Sequence, residues 1–148
     1  MIQEITRKGF KVLGSFILPR EIKADLADYK EYARKVVNLY KDIISIWEIY
    51  IQPKEDSIPD LIRNKELIQA IAEAIKEADP KAIIAGNLPY GKQDYEPVDS
   101  ETLDLFDIIS LNYKPSILTE PQQAVLEAYK SLRESFPEDK KALPLWQI

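Results

Sequence analysis

The chain contains neither cysteine nor histidine, and each absence excludes whole classes of chemistry. Without cysteine there is no disulfide, no thiolate zinc site and no thiol nucleophile. Without histidine the commonest general base is missing, and with it the Ser-His-Asp and Cys-His arrangements and most transition-metal sites. Acid–base chemistry would therefore have to come from carboxylates, lysine or tyrosine, and we expect no cofactor and no metal.

Signals for nucleic acid, membrane or export are also missing. The net charge is −5 and no basic run is longer than Lys140-Lys141, whereas phosphate binding needs clustered lysine and arginine. No apolar run reaches the length of about 18 residues that spans a membrane. The first ten residues, MIQEITRKGF, lack the apolar core of a signal peptide. We expect a cytoplasmic protein with no nucleic-acid or membrane partner, unless a lost upstream segment directs it elsewhere.

The residues that are present are typical of one folded domain. The 148 residues fit a single domain covering 1–148. Hydrophobic residues make up 45% and charged residues 30% of the chain, which is a globular rather than a disordered composition. Lysine and glutamate are abundant and methionine occurs once, as in many thermostable proteins.

Hydrophobic patterning alternates between strands and helices along the whole chain. Near-continuous apolar runs predict strands, and helical spacing of apolar residues predicts helices. The predicted strands are 9–18, 43–51, 81–88, 107–113 and 142–148; the predicted helices are 25–42, 60–78, 100–106 and 119–136. Apolar strands separated by amphipathic helices predict a parallel sheet covered by helices, either an open doubly wound sheet or a (β/α) barrel. Neither glycine-rich nucleotide motif is present.

Several segments, in order, resemble the retaining glycoside hydrolases with a (β/α)₈ barrel. WEIYIQP (47–53) resembles their fourth-strand motif W-E-x-x-N-E-P. The preceding helix, the KEADP that ends the next helix, FDIISLNYKPS (106–116) and LPLWQI (143–148) resemble the corresponding family segments up to strand seven. The resemblance implies parallel (β/α) units equivalent to strands 3–7 of a TIM barrel.

The same comparison shows departures at the positions that would carry catalysis. The family's acid/base glutamate falls on Gln52, whose amide cannot exchange the catalytic proton at working pH. The neighbouring asparagine falls on Ile51, and the sixth-strand histidine falls on Asn112. The nucleophile would follow Ile148, the last residue. Because retaining hydrolysis needs two carboxyl groups about 5–5.5 Å apart, we expect the chain to be inactive.

Length gives a further expectation about assembly. A complete barrel takes about 250 residues, and about 200 at the lower limit. Five parallel strands alone would leave two open apolar edges. We expect these edges to be closed by self-association into a larger barrel, by a partner chain that supplies the missing strands, or by a rearrangement of the ends.

Polar and aromatic residues at the strand ends are the candidate saccharide contacts, since barrel sites lie at that rim. They are Trp47, Tyr50, Asn87, Asn112, Tyr113 and Trp146. Ordinary loop anchoring explains Tyr50, Asn87, Asn112 and Tyr113 equally well, and Trp146 fits core packing too. Alternation places Glu48 on one face with Tyr50 and Gln52, where a buried glutamate would pair with a basic residue such as Arg20.

Three functions remain open at this stage. The first is a non-catalytic glycoside-hydrolase-like barrel segment with weak carbohydrate binding. The second is an O-glycosyl hydrolase that is active only when missing strands or a partner chain complete it. The third is a structural self-assembly module. Two acidic loops, containing Asp56 and Asp94, match no metal-binding pattern and are interpreted as solvated charges.

Overall fold

The computed structural model describes about two thirds of the chain, in the ranges 11–18, 25–51, 65–89, 100–112, 130–134, 136–140 and 142–147, and at residues 7, 9, 126 and 127. The elements in chain order are β1 (Val12–Leu18), α1 (Leu26–Tyr40), β2 (Ile44–Ile51), α2 (Lys65–Ala78), β3 (Ile83–Pro89), α3 (Ser100–Leu103), β4 (Ile108–Asn112), a 3₁₀ turn (Glu138–Lys140) and β5 (Leu145–Gln147). Residues 126, 127 and 130–134 are also helical, within the helix predicted for 119–136.

The five strands form one sheet in which every neighbouring pair is parallel. Their order across the sheet is β1-β2-β3-β4-β5, the same as their order along the chain. A doubly wound sheet reverses its strand order at a switch point, and these five strands contain no such reversal. The prediction of consecutive parallel (β/α) units is therefore confirmed.

Helix α1 begins and ends where local chemistry predicts. Asp25 is extended and its carboxylate accepts a hydrogen bond from the Ala27 backbone N–H at 3.3 Å, which is the N-cap expected from the sequence. Ala33 and Val37 are buried against the sheet. Helix α2 presents a wider apolar face and ends at Ala78, because the proline at position 80 disfavours helix in the residue before it.

The exposed sides of α1 and α2 are joined by ion pairs. Lys30 lies 2.9 Å from carboxylate oxygens of both Glu73 and Glu77, and Arg34 lies 2.6 Å from Glu77. Hydrogen bonds from Arg34 and then Lys30 lower the pKa of Glu77 below its ordinary value of 4.5. A hydrogen bond from Lys30 lowers the pKa of Glu73 in the same way. These pairs are open to solvent, so they fix how the helices lie together more than they stabilise the fold.

The main core lies between the sheet and its helices. On β1 and β2, Phe16 and Trp47 stack with ring centroids 5.2 Å apart. The space for the indole depends on Gly14, since a Cβ added there would lie 2.5 Å from two ring carbons of Trp47. Gly86 likewise leaves room for Phe106, whose ring would lie 2.7 Å from an added Cβ. Close approach of large side chains to the strands therefore explains both glycines.

The first strand differs from its prediction at one end. The sequence pattern predicts a strand from Gly9, but β1 begins at Val12. Gly9 lies in a turn with φ of 85°, a conformation that glycine adopts readily and that extended strands do not use. Among the helices that the structure describes, none has the length and apolar character needed to cross a membrane.

Candidate functional site

The second face of the sheet, opposite the helices, carries a layer of polar residues. Ile46, Ala85 and Ile108 form a small buried apolar cluster on this inner face. Next to this cluster lies a polar row that consists of Ser15, Glu48, Asn87 and Ser110, one residue from each of β1 to β4. Because side chains alternate along a strand, the polar row occupies the inner face while the neighbouring residues pack against helices.

The carboxylate of Glu48 connects the whole polar row. Its Oε1 accepts hydrogen bonds from Ser110 Oγ at 2.9 Å and from Asn87 Nδ2 at 3.2 Å. Its Oε2 accepts a hydrogen bond from Ser15 Oγ at 2.9 Å. The side chain of Glu48 is 5% exposed. These three donors partly replace the water that a carboxylate loses on burial, and they tie four strands together at one point.

The donors to Glu48 that the structure describes are neutral groups, and not the basic partner expected from the sequence. Within the described ranges, no lysine or arginine bonds to the carboxylate, and hydroxyl and amide groups take that role instead. Arg20, the example given above, lies outside the described residues. Neutral donors stabilise a buried carboxylate without burying a second charge. In a buried ion pair, the cost of removing both charges from water can exceed the gain from their attraction.

Asn87 is the second member of the polar row with unusual surroundings. It is 2% exposed, and its Nδ2 donates both to Glu48 Oε1 and to Ser110 Oγ, the latter at 3.3 Å. Its Oδ1 is buried and has no hydrogen-bond partner in the part of the chain that the structure describes. A buried acceptor without a partner is costly and uncommon. The inner face therefore presents one acceptor that the described part of the chain leaves unfilled.

Trp47, predicted as a saccharide contact, lies on the other face of the sheet. It is 2% exposed and stacks on Phe16 in the helix-side core. The indole N–H is buried and has no hydrogen-bond partner among the residues that the structure describes. An aromatic side chain in this position packs the core and offers no open ring face to a sugar. We therefore leave Trp47 out of the proposed saccharide site.

The remaining predicted contacts lie near the carboxyl ends of the strands or outside the described residues. Tyr50 is half-buried in β2, two residues beyond Glu48. Asn112 is the last residue of β4 and pairs with Pro89, and Trp146 pairs with Ser110 in the β4–β5 ladder. Gln52 and Tyr113, together with both acidic loops, lie outside the described residues. In the described ranges, no group of three or more acidic side chains could hold a metal ion.

Sequence reasoning missed two members of the polar row, Ser15 and Ser110. Each is a small hydroxyl residue within an otherwise apolar strand, in LGSFIL and DIISLN. Serine is not among the β-branched and aromatic residues that are enriched in strands, so its presence there was a usable signal. The partner of each serine is a carboxylate 33 or 62 residues away in the chain, and no local pattern indicates such a pairing.

Comparison with solved structures identifies the fold. A glucosidase from Croceicoccus marinus matches with a TM-score of 0.66 and 17% identity, over 90% of this chain and 34% of that chain. A β-glucuronidase from Bacteroides uniformis matches with a TM-score of 0.65 and 13% identity, over 97% of this chain and 18% of that one. The chain has the fold of part of a glycoside hydrolase barrel.

Other comparisons mark the limits of this similarity. A psychrophilic endo-β-1,4-xylanase of glycoside hydrolase family 10 matches with a TM-score of 0.52 and 18% identity, over 99% of this chain and 69% of that chain. The chain spans about a third or less of the length of the glucosidase and the β-glucuronidase. No protein-family profile and no curated protein sequence matches. At these identities the similarity concerns the fold alone.

Proposed function

We propose that this chain is a non-catalytic, glycoside-hydrolase-like barrel segment that binds saccharide weakly at the carboxyl ends of its strands. The observation that carries the proposal is the polar row on the inner face, with a buried acceptor at Asn87 that has no partner among the described residues. Barrel proteins bind their ligands at this end of the strands. Tyr50 and Asn112 lie toward the same end, and the hydrolases that share the fold support a sugar as the ligand.

Loss of catalysis follows from the side chains at the positions where the resemblance places the reaction. Gln52 occupies the acid/base position, and the loss of general acid catalysis alone lowers a rate by roughly 10²–10⁴. Glu48 does not replace it, because its carboxylate is buried and engaged by three donors. It also lies four residues before Gln52, deeper in the sheet.

A specific observation favours a second candidate, in which further strands complete the barrel. On β1, an outermost strand of the described sheet, Ile17 is 67% exposed and Leu13 is 38% exposed. Side chains of this kind on an open parallel strand are usually covered. If a partner chain or further sequence covers these side chains, the result is an O-glycosyl hydrolase that is active only when the barrel is complete. If a second copy of this chain covers them, the result is a self-assembly module.

Three measurements test the proposal. The unmodified chain should show no turnover of p-nitrophenyl glycosides above background, and Gln52→Glu should not restore it. Millimolar oligosaccharide should change the fluorescence of the unmodified chain through Trp146, whereas Trp146→Phe, which keeps the buried Trp47, should not respond. Sedimentation tests the self-assembly module, since closure by self-association requires a dimer or larger species at micromolar concentration.

Each measurement has an outcome that would contradict the proposal. Hydrolysis by the unmodified chain would show that the segment is catalytic. Equal fluorescence responses in the unmodified chain and Trp146→Phe would show that the sugar does not bind next to Trp146 on β5. The absence of any binding at tens of millimolar oligosaccharide would show that saccharide is not the ligand.

A further inference from the structure

The amide of Asn87 is held in one of its two orientations by the surrounding polar row. The two hydrogens on Nδ2 point to two acceptors, Glu48 Oε1 at 3.2 Å and Ser110 Oγ at 3.3 Å. The oxygen Oδ1 is buried and has no hydrogen-bond partner within the described ranges. In a typical asparagine the nitrogen and oxygen are assigned from the hydrogen-bond network, and here the network contains a group that decides the assignment.

That group is the carboxylate of Glu48. An ionised carboxylate only accepts hydrogen bonds, so it can face the NH₂ end of an amide but repels the carbonyl end. Rotation of the carboxylate is limited because Ser15 holds Oε2 and Ser110 holds Oε1, both at 2.9 Å. A flipped Asn87 would bring two acceptors together and would lose both donated bonds. Glu48 therefore fixes which atom of Asn87 is left without a partner.

The geometry points to Glu48 as a positioning residue, which orients Asn87 so that its Oδ1 accepts a hydrogen bond from a hydroxyl group of a bound saccharide. This inference rests on the proposed function. It adds the residue that decides which amide atom of Asn87 is left to bind the ligand. Because Oδ1 is an acceptor, its ligand has to present a hydrogen-bond donor, and the hydroxyl groups of a saccharide are small donors. Because Oδ1 is buried, a hydroxyl reaches it only when the side chains that cover it move aside.

Two conservative substitutions separate positioning from simple support of the sheet. In Glu48→Gln, the new amide can donate to Asn87 Oδ1, so that Asn87 is no longer held in one orientation. In Ser15→Ala, one donor to Oε2 is lost, but the contact between Oε1 and Asn87 remains. Both variants remove part of the same network, so both should lower thermal stability. Only Glu48→Gln should change the state of Asn87.

The first readout needs no ligand. With ¹⁵N-labelled asparagine, the unmodified chain should give one pair of slowly exchanging side-chain amide signals for Asn87, assigned by their loss in Asn87→Ala. Glu48→Gln should shift or split these signals and speed their exchange, while Ser15→Ala should leave them in place. If Glu48→Gln does not fold, Glu48→Asp gives the same test, because the shorter side chain keeps the charge but withdraws the carboxylate from Asn87 Nδ2.

The second readout is saccharide affinity, measured by titration with xylo- and cello-oligosaccharides. Loss of one hydrogen bond predicts an affinity about tenfold lower for Asn87→Ala. Division of Asn87 between two orientations predicts an affinity at least about twofold lower for Glu48→Gln. Ser15→Ala should bind as the unmodified chain does.

The outcomes distinguish this inference from the proposed function. If the unmodified chain and Asn87→Ala bind saccharide equally, Oδ1 holds only a water molecule; the inference is then wrong, and the proposed function stands. If Glu48→Gln leaves both the amide signals and the affinity unchanged, Glu48 does not position Asn87. If the unmodified chain binds no saccharide, the proposed function is wrong. The inference that a saccharide hydroxyl donates to Oδ1 is then wrong too, whatever the amide signals show.

Discussion

Replacing Gly14 by alanine tests how the helix-side core is built. A Cβ at this position would lie 2.5 Å from Cε3 and from Cζ3 of Trp47, and 3.2 Å from Cγ2 of Ile44. The first two distances are far below normal carbon contact, so the ring or the strand has to move. The indole is 2% exposed and stacks on Phe16, which leaves it no free space to move into.

Two opposing effects determine the sign of the change. Replacing a glycine with alanine without strain stabilises a protein by about 0.4–1 kcal/mol, because the unfolded chain loses conformational freedom. Overpacking a well-packed core costs about 1–3 kcal/mol. The clash with Trp47 should prevail, so we expect Gly14→Ala to destabilise the fold by about 1–2 kcal/mol. For a chain of about this length, that lowers the Tm by roughly 2–8 °C.

Thermal unfolding followed by circular dichroism measures the effect, and a double-mutant cycle identifies its cause. Trp47→Leu removes the two ring carbons that an alanine at position 14 would meet. In this background, alanine at position 14 should cost less than in the unmodified chain, with a coupling of about 0.5–3 kcal/mol. A Tm that is unchanged or raised by Gly14→Ala, or additive effects of the two substitutions, would refute the reasoning.

Two further predictions concern α2. Leu67→Ala, at a fully buried position, should lower the free energy of unfolding in urea by about 2–5 kcal/mol because it leaves a cavity, whereas Glu66→Ala at an exposed neighbour should change it by less than about 0.5 kcal/mol. Ion pairs lower the pKa of Glu77 below 4.5, so their stabilisation is present above pH 4.5 and is lost as the pH falls through the lowered value. The Tm difference between the unmodified chain and Glu77→Gln should therefore be present at pH 7 and disappear in acid.

Controls make both α2 predictions decisive. Equal effects of Leu67→Ala and Glu66→Ala would show that α2 does not pack with the observed face toward the sheet. For the pH prediction, Glu66→Gln is the matched control, since Glu66 lies in the same helix and has no ion pair within the described ranges. A Tm difference for Glu77→Gln that persists unchanged at pH 2 would contradict the role of the pairs with Lys30 and Arg34.

The elements themselves were predictable because their signals are local. The apolar run at 43–51 and the strand β2 (Ile44–Ile51) agree to within one residue at its start. Helix α2 ends at Ala78, two residues before the proline at position 80, and α1 begins directly after the cap at Asp25. The strand start predicted at Gly9 is wrong because an apolar pattern does not reveal a positive φ.

The site was predictable only in part, because its contacts join distant parts of the chain. Alternation along β2 correctly separates the face of Trp47 from that of Glu48. The partners of Glu48 lie 33, 39 and 62 residues away, on three other strands. Strand register decides which of these side chains meet the carboxylate, and register depends on the packing of the whole sheet.

The sequence by itself determined the alternation of strands and helices, the exclusion of cysteine and histidine chemistry, and the amide at position 52 in place of an acid. These properties follow from residue identity and short-range periodicity, which need no tertiary contact. Tertiary structure alone decided that Trp47 is core, that hydroxyls and an amide donate to Glu48, and that one oxygen of Asn87 has no partner among the described residues. Each of these facts depends on which side chains are brought together when four strands align, and desolvation at that point gives the contacts their strength.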